Sequence, residues 1–341
     1  MNITIKDVAK KAGVAPSTVS RVIADNPRIS LETKKRVRKA MKDMGYHPNV
    51  NARNLVVKST QAIGVVMPSS ADKALQNPFF PEILRGIGSI SHEMEYSLYL
   101  STGGTETELF EEVKRMVFGH RVDGIILLYS RKNDPVTNFL YENDFPFVVV
   151  GKPHHEENEI TYVDNNNFKA SKEVTNHLIG LGHKRIGFIG GSTDLIATVE
   201  RMDGYESALT EAGLKIREDY KVHTEFLKSG GRKAVEELFT LSQPPTGLVI
   251  VDDLMSLGVI GMLEELGLRV PEDVSITSFN NVYVSEITSP PLTTVDIQIY
   301  MLGVQATRCL IEKAKNKSEP VKRIIVPHKI EYRQSTREVT T

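Results

Sequence analysis

The sequence predicts an α/β protein in two parts: an N-terminal head of three short helices in a helix-turn-helix arrangement, and a larger body of two lobes, each a parallel doubly wound sheet. Three observations predict it. The length of 341 residues exceeds one ordinary domain. The charge is uneven: residues 1–60 hold 13 basic and 4 acidic side chains, net +9, whereas the remainder, with 29 and 39, is net −10. From residue 62 onward short apolar runs alternate with helical patterns, which calls for parallel sheets covered by helices.

The head comes first in the chain. Thr4 can cap a helix through Ala12, with Asp7 at its third position as in a capping box. Ile5, Val8, Ala9 and Ala12 make one apolar stripe, and Gly13 stands where a helix ends in a left-handed turn. A second helix begins at Pro16, tolerated in a first turn. It turns Val19, Val22 and Ile23 inward and leaves Ser17, Thr18, Ser20 and Arg21 to the outside. Asn26-Pro27 breaks the chain, and Ser30 caps a third helix from Leu31 to Met44 that ends at Gly45. Two short helices across a glycine turn, braced by a third, form a helix-turn-helix whose second helix is sized for the DNA major groove. A basic head on an acidic body points to a polyanion, and small hydroxyls at a helix N-terminus can hold phosphates while Arg21 can reach guanine O6 and N7.

In the body, apolar runs at 62–67, 96–101, 123–128, 147–150, 185–191, 247–251 and 274–279 read as strands, with helices between them. Two such series imply two lobes with a ligand cleft at the carboxyl ends of the strands. The function classes this chemistry excludes are as informative. There is no P-loop, Gly187, Gly190 and Gly191 do not form GxGxxG, and no GxSxG occurs. His154-His155 lies in a polar turn without further ligands. No catalytic residue, metal or cofactor is therefore expected. No apolar run approaches the roughly 18 residues of a membrane span, and the N-terminus lacks the apolar core of a signal peptide. The single Cys309, at helical spacing with Ala306 and Leu310, reads as a buried thiol in a reducing cytoplasm.

The run Ile5 to Val22, together with Gly45-Tyr46-His47-Pro48-Asn49 and Ala52-Arg53-Asn54-Leu55, resembles the DNA-binding head and hinge of LacI/GalR-type bacterial transcriptional regulators. The likeness continues through Gly182-His183-Lys184-Arg185-Ile186-Gly187, Arg201 with Gly204-Tyr205, Val270-Pro271-Glu272-Asp273, and Pro290-Pro291-Leu292-Thr293-Thr294. It implies a helix-turn-helix domain at 1–45, a hinge at 46–60 and a periplasmic-binding-protein-like body at 61–341. The implied lobes are 61–164 with 294–323, and 165–293 with 324–333, the chain crossing near 162–166, 292–296 and 322–326. It further implies that Thr4, Pro16, Ser17, Thr18, Ser20, Arg21, Ser30, Asn49, Ala52, Arg53 and Leu55 contact DNA, Leu55 as a minor-groove wedge. For the effector it implies Phe79 (with Phe80 as substitute), Asp164, Arg201, Asp252 and Asn280, with Asp253 as a helix cap. Carboxylates, amides and one arginine form a set that reads hydroxyls. Gln76-Asn77-Pro78-Phe79-Phe80 and the Asp164–Asn167 run resemble maltose-type regulators of Gram-positive bacteria.

The expectation is thus a cytoplasmic repressor that binds double-stranded operator DNA as a homodimer, with no membrane contact, under control of a small molecule, an α-glucoside such as a malto-oligosaccharide. The alternative is a global catabolite regulator controlled by a phosphorylated carrier protein. A solute receptor or an enzyme ranks behind both. The last eight residues hold one apolar side chain, Val339, and make no heptad seam, so a dimer and not a tetramer is expected, with dimer-face candidates at Ile83-Leu84-Ile87 and Met255-Val259-Met262.

Overall fold

Strong local signals shape residues 3–46 into three helices: α1 (Ile5–Ala12), α2 (Pro16–Ile23) and α3 (Leu31–Met44). The computed structural model describes residues 3–46, 59–68, 71–154 and 158–339, and the chain forms two compact units, Met1–Thr60 and Gln61–Thr341. In the first unit the Thr4 amide and hydroxyl both donate to the Asp7 carboxylate (2.9 and 2.6 Å), and the Ser30 hydroxyl accepts from the Thr33 amide (3.3 Å). Gly13 and Gly45 end α1 and α3 at φ +63° and +62°, where a side chain would be strained. Val8, Ala9, Ala12, Val19, Val22, Val37 and Ala40 are buried together as the core of this unit. Asp25 accepts ion pairs from Lys34 (3.0 Å) and Arg38 (2.7 Å), fixing the α2–α3 turn against α3.

The second unit contains strands β1 (Ala62–Val66), β2 (Ser97–Leu100), β3 (Gly124–Leu127), β4 (Phe147–Val150), β5 (Tyr162–Asp164), β6 (Ile186–Gly190), β7 (Lys221–His223), β8 (Gly247–Ile250), β9 (Ser275–Phe279), β10 (Thr293–Asp296), β11 (Arg323–Ile325) and β12 (Lys329–Glu331). They form two six-stranded sheets, ordered β11-β5-β4-β3-β1-β2 and β12-β10-β9-β8-β6-β7. All pairings are parallel except β10 with β12. Strands β1, β3, β4, β5, β6, β8 and β9 are buried at every residue, as strands covered on both faces must be.

Two expectations are corrected here. The second and third crossings lie a few residues later than 292–296 and 322–326. β10 pairs with β9, Thr293 opposite Thr277, and so belongs to the second lobe, while β11 pairs with β5, Ile324 opposite Val163, and belongs to the first. The second lobe also runs beyond 333, since Ser335 donates to the Ile276 carbonyl and the Val339 amide to that of Leu181. The Asn165 amide ties the crossings together, donating to the carbonyls of Ile297 (3.0 Å) and Val326 (2.9 Å). The second correction concerns the dimer-face candidates: Ile83, Ile87, Met255 and Val259 are wholly buried within this chain, and only Leu84 and Met262 stay half-buried. The helices Phe79–Glu93 and Ile299–Lys315 cross so closely that a Cβ on Gly86 would stand 2.2 Å from the Tyr300 carbonyl oxygen, and one on Gly303 2.4 Å from that of Ile83. The apolar stripe of Phe79–Glu93 is spent on this contact.

Candidate nucleic-acid interface and effector cleft

On the first unit, burial of Val19 and Val22 turns the other faces of α2 outward. Pro16, Ser17, Ser20 and Arg21 are exposed and Thr18 is half-buried. Arg21 makes no ion pair among the described residues, unlike Lys34 and Arg38, so its guanidinium is available to a ligand. Thr4 and Ser30 are also exposed, at the N-termini of α1 and α3, where helix dipoles favour phosphate. Asn49, Ala52, Arg53 and Leu55 lie outside the described residues.

On the second unit, the two lobes enclose a cleft of about 450 Å³ lined by all five expected effector residues, Phe79, Asp164, Arg201, Asp252 and Asn280, and also by Phe80. All but Arg201 are placed by an element end. Phe79 opens the helix Phe79–Glu93, with its ring 5.2 Å from that of Phe80, edge to face. Asp164 ends β5. Arg201 projects from the helix Ile196–Glu211, and Asn280 follows β9 with φ +104°.

Asp252, not Asp253, is the helix cap. Its Oδ1 accepts from the amides of Leu254 (2.8 Å) and Met255 (3.1 Å) at the start of the helix Asp253–Glu265. Its Oδ2 accepts from the side-chain amides of Asn280 (2.8 Å) and Asn77 (2.9 Å). Asp253 points away from the cleft, accepting from the Val282 amide and the Thr294 hydroxyl. The sequence reading is right to place Asp252 in the cleft and misplaces only the cap, which it gives to Asp253, because either aspartate stands at a plausible N-cap and only the strand-end geometry decides between them. Arg201 is 8% exposed. Its Nε donates to Asn167 (2.9 Å) and its Nη1 to the Val251 carbonyl (2.8 Å), and its guanidinium lies 4.3 Å over the Phe279 ring.

Burial sets the electrostatics. It raises Asp164 to about 7, with the nearby Glu200 adding to the rise, and raises Asp252 to about 6. It lowers Arg201 to about 10 against the pull of the surrounding carboxylates. Carboxylates, side-chain amides and the Arg201 guanidinium thus line the same cleft as the aromatic rings of Phe79, Phe80 and Phe226. Such a set can bind a neutral, hydroxyl-rich molecule edge-on through its hydroxyls and flat through its C–H faces.

Sequence reasoning missed Asn77, Asn167 and Phe226 as cleft residues. Asn77 and Phe226 matter only where the lobes meet: the Asn77 amide also donates to the Phe226 carbonyl across the cleft (3.2 Å). Their neighbours in sequence give no sign of that meeting. The hydroxyl of Thr198, buried on the cleft wall, makes no hydrogen bond among the described residues.

Comparison with known proteins fits both halves. Residues 4–49 match the family "Bacterial regulatory proteins, lacI family", and residues 175–336 match a periplasmic binding protein-like domain. The chain is 41% identical to the HTH-type transcriptional regulator MalR of Streptococcus pneumoniae over 97% of this chain and 99% of that one. The chain belongs to the lacI family of bacterial regulatory proteins. A LacI-type transcriptional regulator from Bacillus cereus subsp. cytotoxis superposes with a TM-score of 0.81 at 51% identity, over 82% of this chain and 99% of that one. The transcriptional regulator CelR, solved as a cellobiose complex, superposes with a TM-score of 0.77 at 31% identity, over 98% and 99%. A lacI-family chain is a DNA-binding transcriptional regulator and not an enzyme. Among the described residues no helix is long and apolar enough to cross a membrane.

Proposed function

We propose that this chain is a repressor whose affinity for operator DNA is controlled by a sugar of the malto-oligosaccharide class, bound between the two lobes of the second unit. The observation that carries the reading is the cleft itself: carboxylates, amides, arginine and aromatic rings together line a volume of about 450 Å³. Ligand sites for small molecules combine an apolar wall with a few convergent polar groups in this way. In this reading Asp252, Asn280, Asp164 and Arg201 hold hydroxyls and Phe79 packs on a sugar face. The likeness to a maltose operon transcriptional repressor of Staphylococcus and the cellobiose in the CelR complex support a glucoside. Thr4, Pro16, Ser17, Thr18, Ser20, Arg21 and Ser30 meet the DNA, and Asn49, Ala52, Arg53 and Leu55 act as the hinge. Titration calorimetry with maltose and maltotriose tests the effector. Heat from neither, with DNA binding intact, overturns the sugar reading.

The regulator acts as a homodimer, because one helix-turn-helix reads one half-site and a two-fold partner reads the other. With Ile83, Ile87, Met255 and Val259 spent on the core, the exposed side chains of Tyr283 and Ile287 are the better candidates for the dimer face. Sedimentation equilibrium at micromolar protein should give about twice the 38.0 kDa chain. A stable monomer overturns the dimer.

A further inference from the structure

Besides the crossings, the two lobes touch beside the cleft through main chain. Arg131, after β3 in the first lobe, pairs antiparallel with Leu195, before the helix Ile196–Glu211 in the second. The Lys132 amide donates to the Asp194 carbonyl and the Ile196 amide to the Ser130 carbonyl, both at 3.0 Å. Ser130, Arg131 and Leu195 all line the cleft.

Each side of this contact is held rigidly to its own lobe. The Arg131 guanidinium donates to Glu106 (2.5 Å) and to the Pro68 carbonyl, and lies 5.0 Å over the Tyr129 ring. The Ser130 hydroxyl donates to the Lys152 carbonyl (2.6 Å). On the other side Leu195 caps the helix Ile196–Glu211 in extended backbone, so Ile196 is its first residue. An amide in a first helical turn has no partner within its helix, and that of Ile196 finds one only across the cleft.

We propose that residues 130–132 and 194–196 form a two-stranded strap across the mouth of the cleft, and that a ligand enters and leaves only when the strap parts. The proposal rests on the reading of the cleft as the effector site. Main-chain pairing is well suited to gating, because it is indifferent to the chemistry of the effector and because two hydrogen bonds between rigid supports break together. Asn77, bonded to Asp252 and to the Phe226 carbonyl, is a second contact between the lobes, made at the polar wall of the cleft. The strap is therefore distinct from the groups that would recognise a sugar.

The pairing supplies its own test. Arg131 and Leu195 are enclosed by the two hydrogen bonds as a non-hydrogen-bonded pair, whose Cα atoms stand roughly 4.5 Å apart, within disulfide range. In the full chain carrying Arg131→Cys and Leu195→Cys, oxidation should link the two cysteines in most molecules, while buried Cys309 stays unreacted. Maltose association, followed by stopped-flow fluorescence of an added reporter, should be at least a hundredfold slower in the oxidised protein than in the same protein reduced. Little or no crosslink overturns the strap, and equal rates in the two forms overturn its gating. Ile196→Pro removes one strap donor at a helix position that accepts proline, and should speed maltose release at least tenfold relative to Ile196→Ala, which keeps the amide. Equal release from both also counts against the strap. If the reduced protein takes up no maltose, the sugar reading fails, and the crosslinking yield alone decides whether the strap exists.

Discussion

Replacing Asp252 by alanine separates recognition from folding, because the structural gains and losses nearly cancel. The substitution removes the cap of the helix Asp253–Glu265, worth about 1 kcal/mol. It takes one acceptor each from the side-chain amides of Asn77 and Asn280, a loss of about 1 kcal/mol each, and Asn77 keeps the Phe226 carbonyl. Against this, a carboxyl raised from 3.8 to about 6 costs about 3 kcal/mol to hold ionised at pH 7, and the variant is relieved of that cost. Stability at pH 7 should therefore fall by no more than about 1 kcal/mol. The sign with pH follows from the raised value. Folded protein binds more protons than unfolded protein between about pH 4 and 6, so Asp252 contributes increasing stability as the pH falls through 6. That gain, about 1 kcal/mol between pH 7 and pH 5, is absent from the variant, which should therefore compare worse with wild type at pH 5 than at pH 7. Urea denaturation at both pH values measures it, and calorimetry shows whether maltose still binds. A difference from wild type that does not change with pH refutes the electrostatic account. Unaltered maltose binding refutes the placement of Asp252 in the effector site.

Other consequences can be measured with the same preparations. Arg201→Ala removes the hydrogen bonds to Asn167 and the Val251 carbonyl, and should cost about 3 kcal/mol in urea denaturation and abolish the maltose heat. Sugar hydroxyls donate to ionised carboxylates, so maltose affinity should weaken as the pH falls from 7 to 5. Binding near pH 6 should then release protons, seen as different apparent heats in buffers of different ionisation enthalpy; equal heats would argue against carboxylate contacts. Removing residues 1–60 should abolish DNA binding and leave maltose binding intact. Operator affinity of the full chain should fall steeply between 50 and 200 mM salt, since the net charge of +9 on residues 1–60 releases counterions on binding.

The parts legible in the sequence are those governed by near neighbours. Thr4 with Asp7, Gly13, Pro16, Ser30 and Gly45 announce both ends of α1 and α3 and the start of α2, because caps and left-handed turns act within four residues. The strands of the body were legible because parallel strands buried on both faces need unbroken apolar runs, such as Ile125 to Leu127. The register of the crossings was not legible. Thr293–Asp296 and Arg323–Ile325 are short and mixed, and nothing local says which sheet will accept them; the ladder partners Thr277 and Val163 decide it. The helix Phe79–Glu93 shows the same limit, since its apolar stripe fits a dimer face as well as a core until Gly303 and Tyr300 are seen against it. In the cleft, the residue types came from family likeness. The partners of Asp252, by contrast, come from strand ends and loops far apart in the chain, so Asn77 could not be read from its own surroundings.

A sugar in the cleft should change the grip of the first unit on DNA. The most direct measurement is the affinity of the full chain for an operator fragment it selects from genomic DNA, by fluorescence anisotropy at fixed salt, with and without saturating maltose. The wild-type midpoint should move by at least about fivefold, the lower end of ordinary allosteric coupling, and the midpoint of Asp252→Ala should not move. A wild-type midpoint unchanged by maltose, in protein that binds the sugar calorimetrically, would contradict the account.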